Sequence, residues 1–262
     1  MLTRLYHLPI SPWSEKARWA LDHHRVAYEA VEHVPLVGDL RLRWLLRKPT
    51  GRVSVPVLED GGDIYGDSFQ IARHAEAIGA GRPLFPAGHE AEIAAWNLLS
   101  EQLLVTGRGV MLLGQIEDAQ TALDALPPGV PEALKPVLAP LARRALSAFV
   151  DKYRMRDAAA SHRPVLDQTM AAFAKVLADG RRYLVGGAFT YADITMAASL
   201  QGVSPVDERY MPVGPGGREA WTRPELVARH PEVLAWRDAV YATHRPTHGP
   251  THRPTHQQPH AG

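Results

Sequence analysis

The 262-residue sequence contains no cysteine. Structural disulfides and thiolate metal sites are therefore excluded. So is any reaction in which a protein thiol attacks a substrate, which rules out a thiol-disulfide oxidoreductase of the usual kind. Surplus charge is also lacking: 29 Lys and Arg stand against 28 Asp and Glu. Neither nucleic acid nor an anionic membrane surface is an expected partner, and the local cluster Arg41, Arg43, Arg47 and Lys48 reads as a solvated helix face. No apolar run reaches membrane-spanning length, and Met1 to His7 hold no signal-peptide core. There is no Gly-rich phosphate loop and no Gly-x-Ser-x-Gly elbow. The expectation is a soluble cytoplasmic protein large enough for two modest domains.

The first eighty residues alternate between strand and helix signals. Leu2 to Leu8 read as a strand ended by Pro9. Ser11-Pro12 opens a helix, with Ser as cap and Pro as first helical residue. Trp13, Ala17, Ala20, Leu21 and His24 recur at helical spacing. Val26 to Val31 read as a second strand, and Leu40 to Leu46 as a short helix. Val53 to Leu58 form a strand despite Pro56. Gly61-Gly62 turns a hairpin into Ile64-Tyr65. Asp67-Ser68 caps a further helix that Gly79 stops. The order is β-α-β-α-β-β-α.

Gly81, Pro83, Pro86 and Gly88 mark a linker. Beyond it the periodicity is helical: Ala91 to Leu126 with a break near Gly107 to Gly109, Pro131 to Leu177 limited or kinked by prolines, a helix from Thr190, a Gly/Pro-rich loop from Asp207 to Pro224, and a last helix from Pro231 to Thr243. His244 to Gly262 repeat His-Arg-Pro-Thr with nothing apolar to bury except Ala261, so a disordered tail is expected. Its histidines recur every fourth residue, but proline forbids the helix that would align them, and no metal site is assigned. The expected divisions are residues 1–80, a linker over 81–90, a helical domain over 91–245 and the tail over 246–262.

Four segments carry a resemblance to a known family. Ser11-Pro12-Trp13-Ser14-Glu15-Lys16-Ala17-Arg18 resembles an active-site turn and first helix. Val55-Pro56 resembles a segment held by a cis peptide bond. Gly66-Asp67-Ser68 resembles an acidic-Ser pair at a helix start. Gly187-Ala188-Phe189-Thr190-Tyr191-Ala192-Asp193-Ile194 resembles a capping box and hydrophobic staple. In this order they are similar to the soluble glutathione transferases, and to serine-type bacterial members among them. The resemblance implies an α/β thioredoxin-like N-terminal domain followed by an all-helical domain.

It also implies chemistry. A thiol at a helix N-terminus meets backbone N–H groups and the positive end of the dipole, and both favour the thiolate. A hydroxyl donor adds to this, so Ser11 is the catalytic candidate; its local alternative is a plain helix cap. Tyr6, at the end of the first strand, is the second choice as donor. By resemblance, the Val55 backbone before Pro56 pairs with the cysteinyl backbone of glutathione, and Asp67 and Ser68 hold its γ-glutamyl end. Arg52 or Lys48 meets the glycine carboxylate. Trp13 flanks the second-substrate pocket. Two departures stand out: Asp67 occupies a position where many relatives have Glu, and the approach Gly51 to Val55 is longer than usual.

The implied function is conjugation of glutathione, as co-substrate and with no other cofactor, to a small electrophile. The alternative is a non-enzymatic ligand- or partner-binding protein on the same fold. A homodimer is implied too. The helix after Asp67, with Arg73 and His74, and the stripe Ile93, Trp96 and Leu99 offer apolar positions with a polar rim; the alternative is that both stripes face the chain's own core, which would be enough to explain them.

Overall fold

The computed structural model describes residues 2–34, 38–51, 53–117, 131–152, 155–214, 218–219 and 221–246. The N-terminal part runs β1 (Arg4–His7), α1 (Pro12–His23), β2 (Glu29–Glu32), α2 (Asp39–Leu45), β3 (Val57–Asp60), β4 (Asp63–Tyr65) and α3 (Ser68–Ile78). The strand order is β2-β1-β3-β4. β1 pairs parallel with β2, and β3 pairs antiparallel with both β1 and β4.

Alternation along the strands divides the sheet's side chains between two cores. Leu5 and Leu58 pack with Ala17 and Leu21 of α1 and with Ile71 and Ala75 of α3. Tyr6 and Val57 pack on the other face with Leu42 and Leu45 of α2. Gly61 and Gly62 both adopt positive φ, as the tight turn between β3 and β4 requires. The third strand starts later than its sequence pattern suggests, at Val57 rather than Val53. Pro56 carries no N–H for a ladder and follows a cis peptide bond from Val55, so regular pairing begins only beyond it.

Gly79 ends α3 for a packing reason: a Cβ there would sit 2.5 Å from the carbonyl oxygen of His24. The close approach lets Ala80 donate its N–H to that same oxygen at 2.9 Å.

The second part is all helix: α4 (Glu90–Glu117), α5 (Lys135–Lys152), α6 (Met155–Leu177), α7 (Tyr191–Ser199), α8 (Pro224–Arg229) and α9 (Pro231–His244). α4 continues through Gly107 and Gly109, where a break was expected. The His162 ring of α6 lies over Gly107, 3.2 Å from where a Cβ would be, so the missing side chain allows close helix packing. Pro140 and Pro164 lie inside α5 and α6. α8 follows the Gly/Pro-rich stretch and was not expected as a helix.

At the start of α7 the Asp193 carboxylate accepts the N–H of Thr190 at 2.8 Å and that of Leu184 at 2.9 Å. Burial pushes its pKa up to about 6. The architecture is thus a mixed β/α unit of thioredoxin-like topology followed by an all-helical unit. α1 joins one core of the sheet to that of the helical unit, since Ala17 and Leu21 pack with Leu5 and Leu58 while Trp19 and Ala20 join the helical cluster. Among the described residues no helix is long and apolar enough to cross a membrane. Residues 247–262, on which the expectation of a disordered tail falls, lie outside the described residues.

Candidate functional site

The turn between β1 and α1 sets the site. Ser11 is the N-cap of α1, with extended φ and ψ of −82° and 124°. Its Oγ accepts the Ser14 N–H over a long 3.4 Å, and its own N–H donates to Leu8 O at 3.0 Å. The Ser11 hydroxyl is half-buried and has no acceptor for its proton among the described residues. Ser14 differs: it is fully buried, and its Oγ accepts the Leu8 N–H at 3.1 Å. One serine closes the turn and the other faces outward at the positive end of a twelve-residue helix.

Asp67 is the N-cap of α3, and its Oδ1 accepts the Gln70 N–H at 2.9 Å. That leaves its exposed second carboxylate oxygen for a ligand cation. Ser68, the first residue of α3, is buried beside the Tyr191 hydroxyl without a well-formed hydrogen bond between them. Burial pushes the Tyr191 phenol pKa up, so its proton stays on. Val55, half-buried, precedes the cis peptide bond. Arg52 lies outside the described residues, and Lys48 is exposed after α2.

Tyr6 does not join this site. Its hydroxyl donates to Glu59 Oε2 at 3.1 Å and accepts from Arg41 at 2.9 Å, on the α2 face of the sheet. The second-choice donor is therefore occupied elsewhere.

The sequence pattern singled out Trp13 but not Lys16 or Glu101, which together with it join α1 to α4. Glu101 of α4 accepts from Trp13 Nε1 at 2.7 Å and from Lys16 Nζ at 2.8 Å. Lys16 is wholly buried. Burial lowers its pKa, and Glu101 and Asp67 act in the opposite direction. The Arg108 guanidinium lies 5.0 Å from the centre of the Trp13 ring. Trp13 is thus held by a carboxylate and a cation from the helical unit. Glu101 is 85 residues from Lys16 in the chain, and no local spacing signals such a pair.

Chemically, the turn can bring a hydroxyl donor, the Trp13 backbone N–H and a helix dipole to one anionic atom; Pro12 has no N–H, and those of Ser14 and Glu15 are taken by Ser11. The Asp67 carboxylate can meet a ligand ammonium, and the Trp13 ring offers an apolar surface beside the helical unit.

Comparison with known proteins identifies the fold. The family model "Glutathione S-transferase, N-terminal domain" matches residues 5–83, and "Glutathione S-transferase, C-terminal domain" matches residues 132–239. A curated relative, glutathione S-transferase L2 of Arabidopsis thaliana chloroplasts, is 29% identical over 98 residues. That match takes in 37% of this chain and 33% of the relative's length. Among solved structures, a glutathione S-transferase from Rhodospirillum rubrum F11 aligns with a TM-score of 0.59 and 22% identity, over 94% of this chain and 90% of that one. The beta-etherase LigF of Sphingobium sp. strain SYK-6 aligns with a TM-score of 0.60 and 20% identity, over 94% and 97%. A glutathione S-transferase from Methylobacillus flagellatus, solved with glutathione bound, aligns with a TM-score of 0.54 and 16% identity, over 93% and 96%. At these identities the likeness to solved structures is one of fold.

Proposed function

Because the chain belongs to the glutathione transferase superfamily, we propose that it is a serine-type, glutathione-dependent transferase that conjugates glutathione to a small electrophile. The observation that carries this reading is the Ser11 hydroxyl, without a proton acceptor among the described residues, at the N-terminus of α1. The glutathione sulfur sits against that hydroxyl and the Trp13 backbone N–H, which the first turn leaves free. Lowering a thiol pKa by about two units takes roughly 2.7 kcal/mol of differential stabilisation, within reach of one hydroxyl, one N–H and the helix dipole acting together. The Val55 backbone pairs with the cysteinyl backbone, Asp67 holds the ammonium, and Ser68 with the α3 N-terminus holds the α-carboxylate. Arg52 or Lys48 meets the glycine carboxylate.

The electrophile lies against Trp13 and the helical unit, so both reactants share one cleft and the attack becomes effectively unimolecular. Glutathione is the co-substrate, and no other cofactor is needed. Calorimetric titration with glutathione, followed by a conjugation assay over a panel of small electrophiles, tests the reading. Binding with turnover supports it. Binding without turnover on any electrophile leaves a ligand-binding protein instead.

A homodimer belongs to the same proposal, but not through the stripe first identified. Ile93 is buried, and Trp96 and Leu99 pack on the chain's own helical core. His74 is likewise held within the chain, by Asp60 at 2.8 Å. The exposed face of α4 is a different row, Ala91, Ala94, Leu98 and Val105. Leu98 is 61% and Val105 43% exposed. The spacing puts these on one side of the helix, where a second copy can cover them.

A further inference from the structure

The last described residues of the chain return to the active-site helix. Arg245, directly after α9, is buried against α1. Its Nε donates to Glu15 Oε1 at 2.7 Å, and its Nη1 donates to Asp22 Oδ2 at 2.6 Å. Its guanidinium carbon lies 5.9 Å from the centre of the Trp19 ring. Glu15 has no exposed surface and stands in the first turn of α1, one turn beyond Ser11. It also accepts from Arg18 Nη2 at 2.7 Å. Arg18 in turn donates to Pro9 O at 2.9 Å and contacts His7 Nδ1 at 2.9 Å. The charged groups packed here are Glu15, Arg18 and Asp22 of α1 and Arg245 after α9. The other titratable neighbours are His7 of β1, Tyr28 before β2, whose hydroxyl donates to Asp22 at 3.3 Å, and Tyr241 of α9. Two carboxylates meet two guanidinium groups, so the buried cluster is neutral.

The neutrality matters because of where Glu15 sits. A carboxylate in the first turn opposes any other anion at the same helix N-terminus, by direct repulsion and by competing for the positive end of the dipole. We propose that Arg245 is a positioning residue for the thiolate: by neutralising Glu15 from the far end of the chain, it keeps the α1 N-terminus free to stabilise the glutathione sulfur at Ser11. This rests on the glutathione-binding reading above. Burial opposes the charge of Glu15, yet Arg245 and then Arg18 outweigh it and hold its carboxyl below the usual range. Removing Arg245 would leave Arg18 alone against two buried carboxylates. Arg18 also holds the Pro9 carbonyl of the active-site turn, so the same cluster fixes the shape of that turn.

The test is the titration of glutathione thiol bound to the full-length protein. In Arg245→Met the bound thiol is expected to titrate about one pKa unit higher than in wild type, the order of effect of one uncompensated buried charge near the same helix N-terminus. The pH profile of conjugation should shift with it. Arg245→Lys keeps the charge and should titrate close to wild type. In Glu15→Gln/Arg245→Met the cluster is neutral again, and the thiol pKa should return. A purely structural clasp predicts otherwise: Arg245→Met would lower the melting temperature while its bound thiol titrates with wild type, and that result overturns the proposal. Should Arg245→Met fail to fold, Glu15→Gln supplies the opposite arm. It leaves one surplus positive charge, so the thiol pKa should fall below wild type, and no shift or an upward shift overturns the proposal. Wild type that leaves the thiol of glutathione unshifted overturns the glutathione reading and this inference together. Variants that titrate with a shifted wild type overturn this inference alone.

Discussion

Ser11 and Ser14 stand three residues apart in one turn, and their hydroxyls have separate tasks. Ser14 Oγ, fully buried, closes the turn by accepting the Leu8 N–H at 3.1 Å. Ser11 Oγ accepts only the Ser14 N–H at 3.4 Å, and its proton has no acceptor among the described residues. The functional reading grows from this division, since a helix N-terminus with a spare hydroxyl is suited to an anionic sulfur.

Asp67 combines a structural and a proposed binding role, and one substitution separates them. Asn is as good an N-cap as Asp, so Asp67→Asn should keep the bond to the Gln70 N–H and the stability of α3. It removes the charge that meets the ligand ammonium and should weaken glutathione binding by about 2 kcal/mol. Calorimetry reporting equal affinity for the variant would reject the γ-glutamyl assignment.

The chain beyond Arg245 divides sharply in expected importance. Ending the protein after Pro246 retains Arg245 and removes a segment with nothing apolar to bury except Ala261. Melting temperature and turnover should be unchanged. Ending it after His244 strips Glu15 and Asp22 of a buried partner, and breaking such a pair costs about 3–5 kcal/mol. A thermal scan that fails to separate the two truncations would contradict the clasp.

Acid sensitivity follows from two histidines between the units. His24 is buried with neither ring nitrogen hydrogen-bonded, and His244 stacks on Phe189 with ring centres 4.0 Å apart. Burial above all lowers both pKa values, to about 4. Between pH 6.5 and 4 the unfolded chain binds these protons and the folded one does not. Stability is therefore fully present above pH 6.5 and is lost as the pH falls towards 4. Asp193, raised to about 6, acts in the opposite sense, because its folded form takes the proton first. Two histidines outweigh one aspartate, so the melting temperature should drop by roughly 5–10 °C from pH 6.5 to pH 4.5. His24→Leu should flatten the profile; a profile identical to wild type would remove His24 from the account.

The proposed dimer predicts a mass near two chains by light scattering at micromolar concentration. Leu98→Arg, in the exposed row of α4, should reduce it to one chain without loss of helicity. A single-chain mass for the wild type would dismiss the dimer and leave the proposed glutathione site, whose residues lie largely within one chain, untouched.

Local chemistry made much of this legible in the sequence. Ser11-Pro12 and Asp67-Ser68 marked helix starts, because cap bonds reach only two or three residues along the chain. Gly61-Gly62 marked the hairpin, because its backbone angles exclude most side chains. Long-range pairing was not legible. Lys16 and Glu101 are 85 residues apart, and Glu15 and Arg245 are 230 apart, so no window of sequence contains either pair. The apolar stripe of α4 was legible as a stripe, but its side was open between a second copy and the chain's own core, and the packing shows the core. Ile93, Trp96 and Leu99 supply a helical face whether the partner is the chain itself or a copy, and only packing decides between them.

The central claim, that α1 and Ser11 stabilise the thiolate of bound glutathione, is tested most directly by an ultraviolet pH titration of glutathione bound to wild type and to Ser11→Ala. The wild-type complex should titrate about two pKa units below free glutathione, and the variant should recover at least half of that difference while still binding the tripeptide. Wild type and variant titrating together would reduce Ser11 to a helix cap, and a wild-type complex titrating with free glutathione would contradict the account.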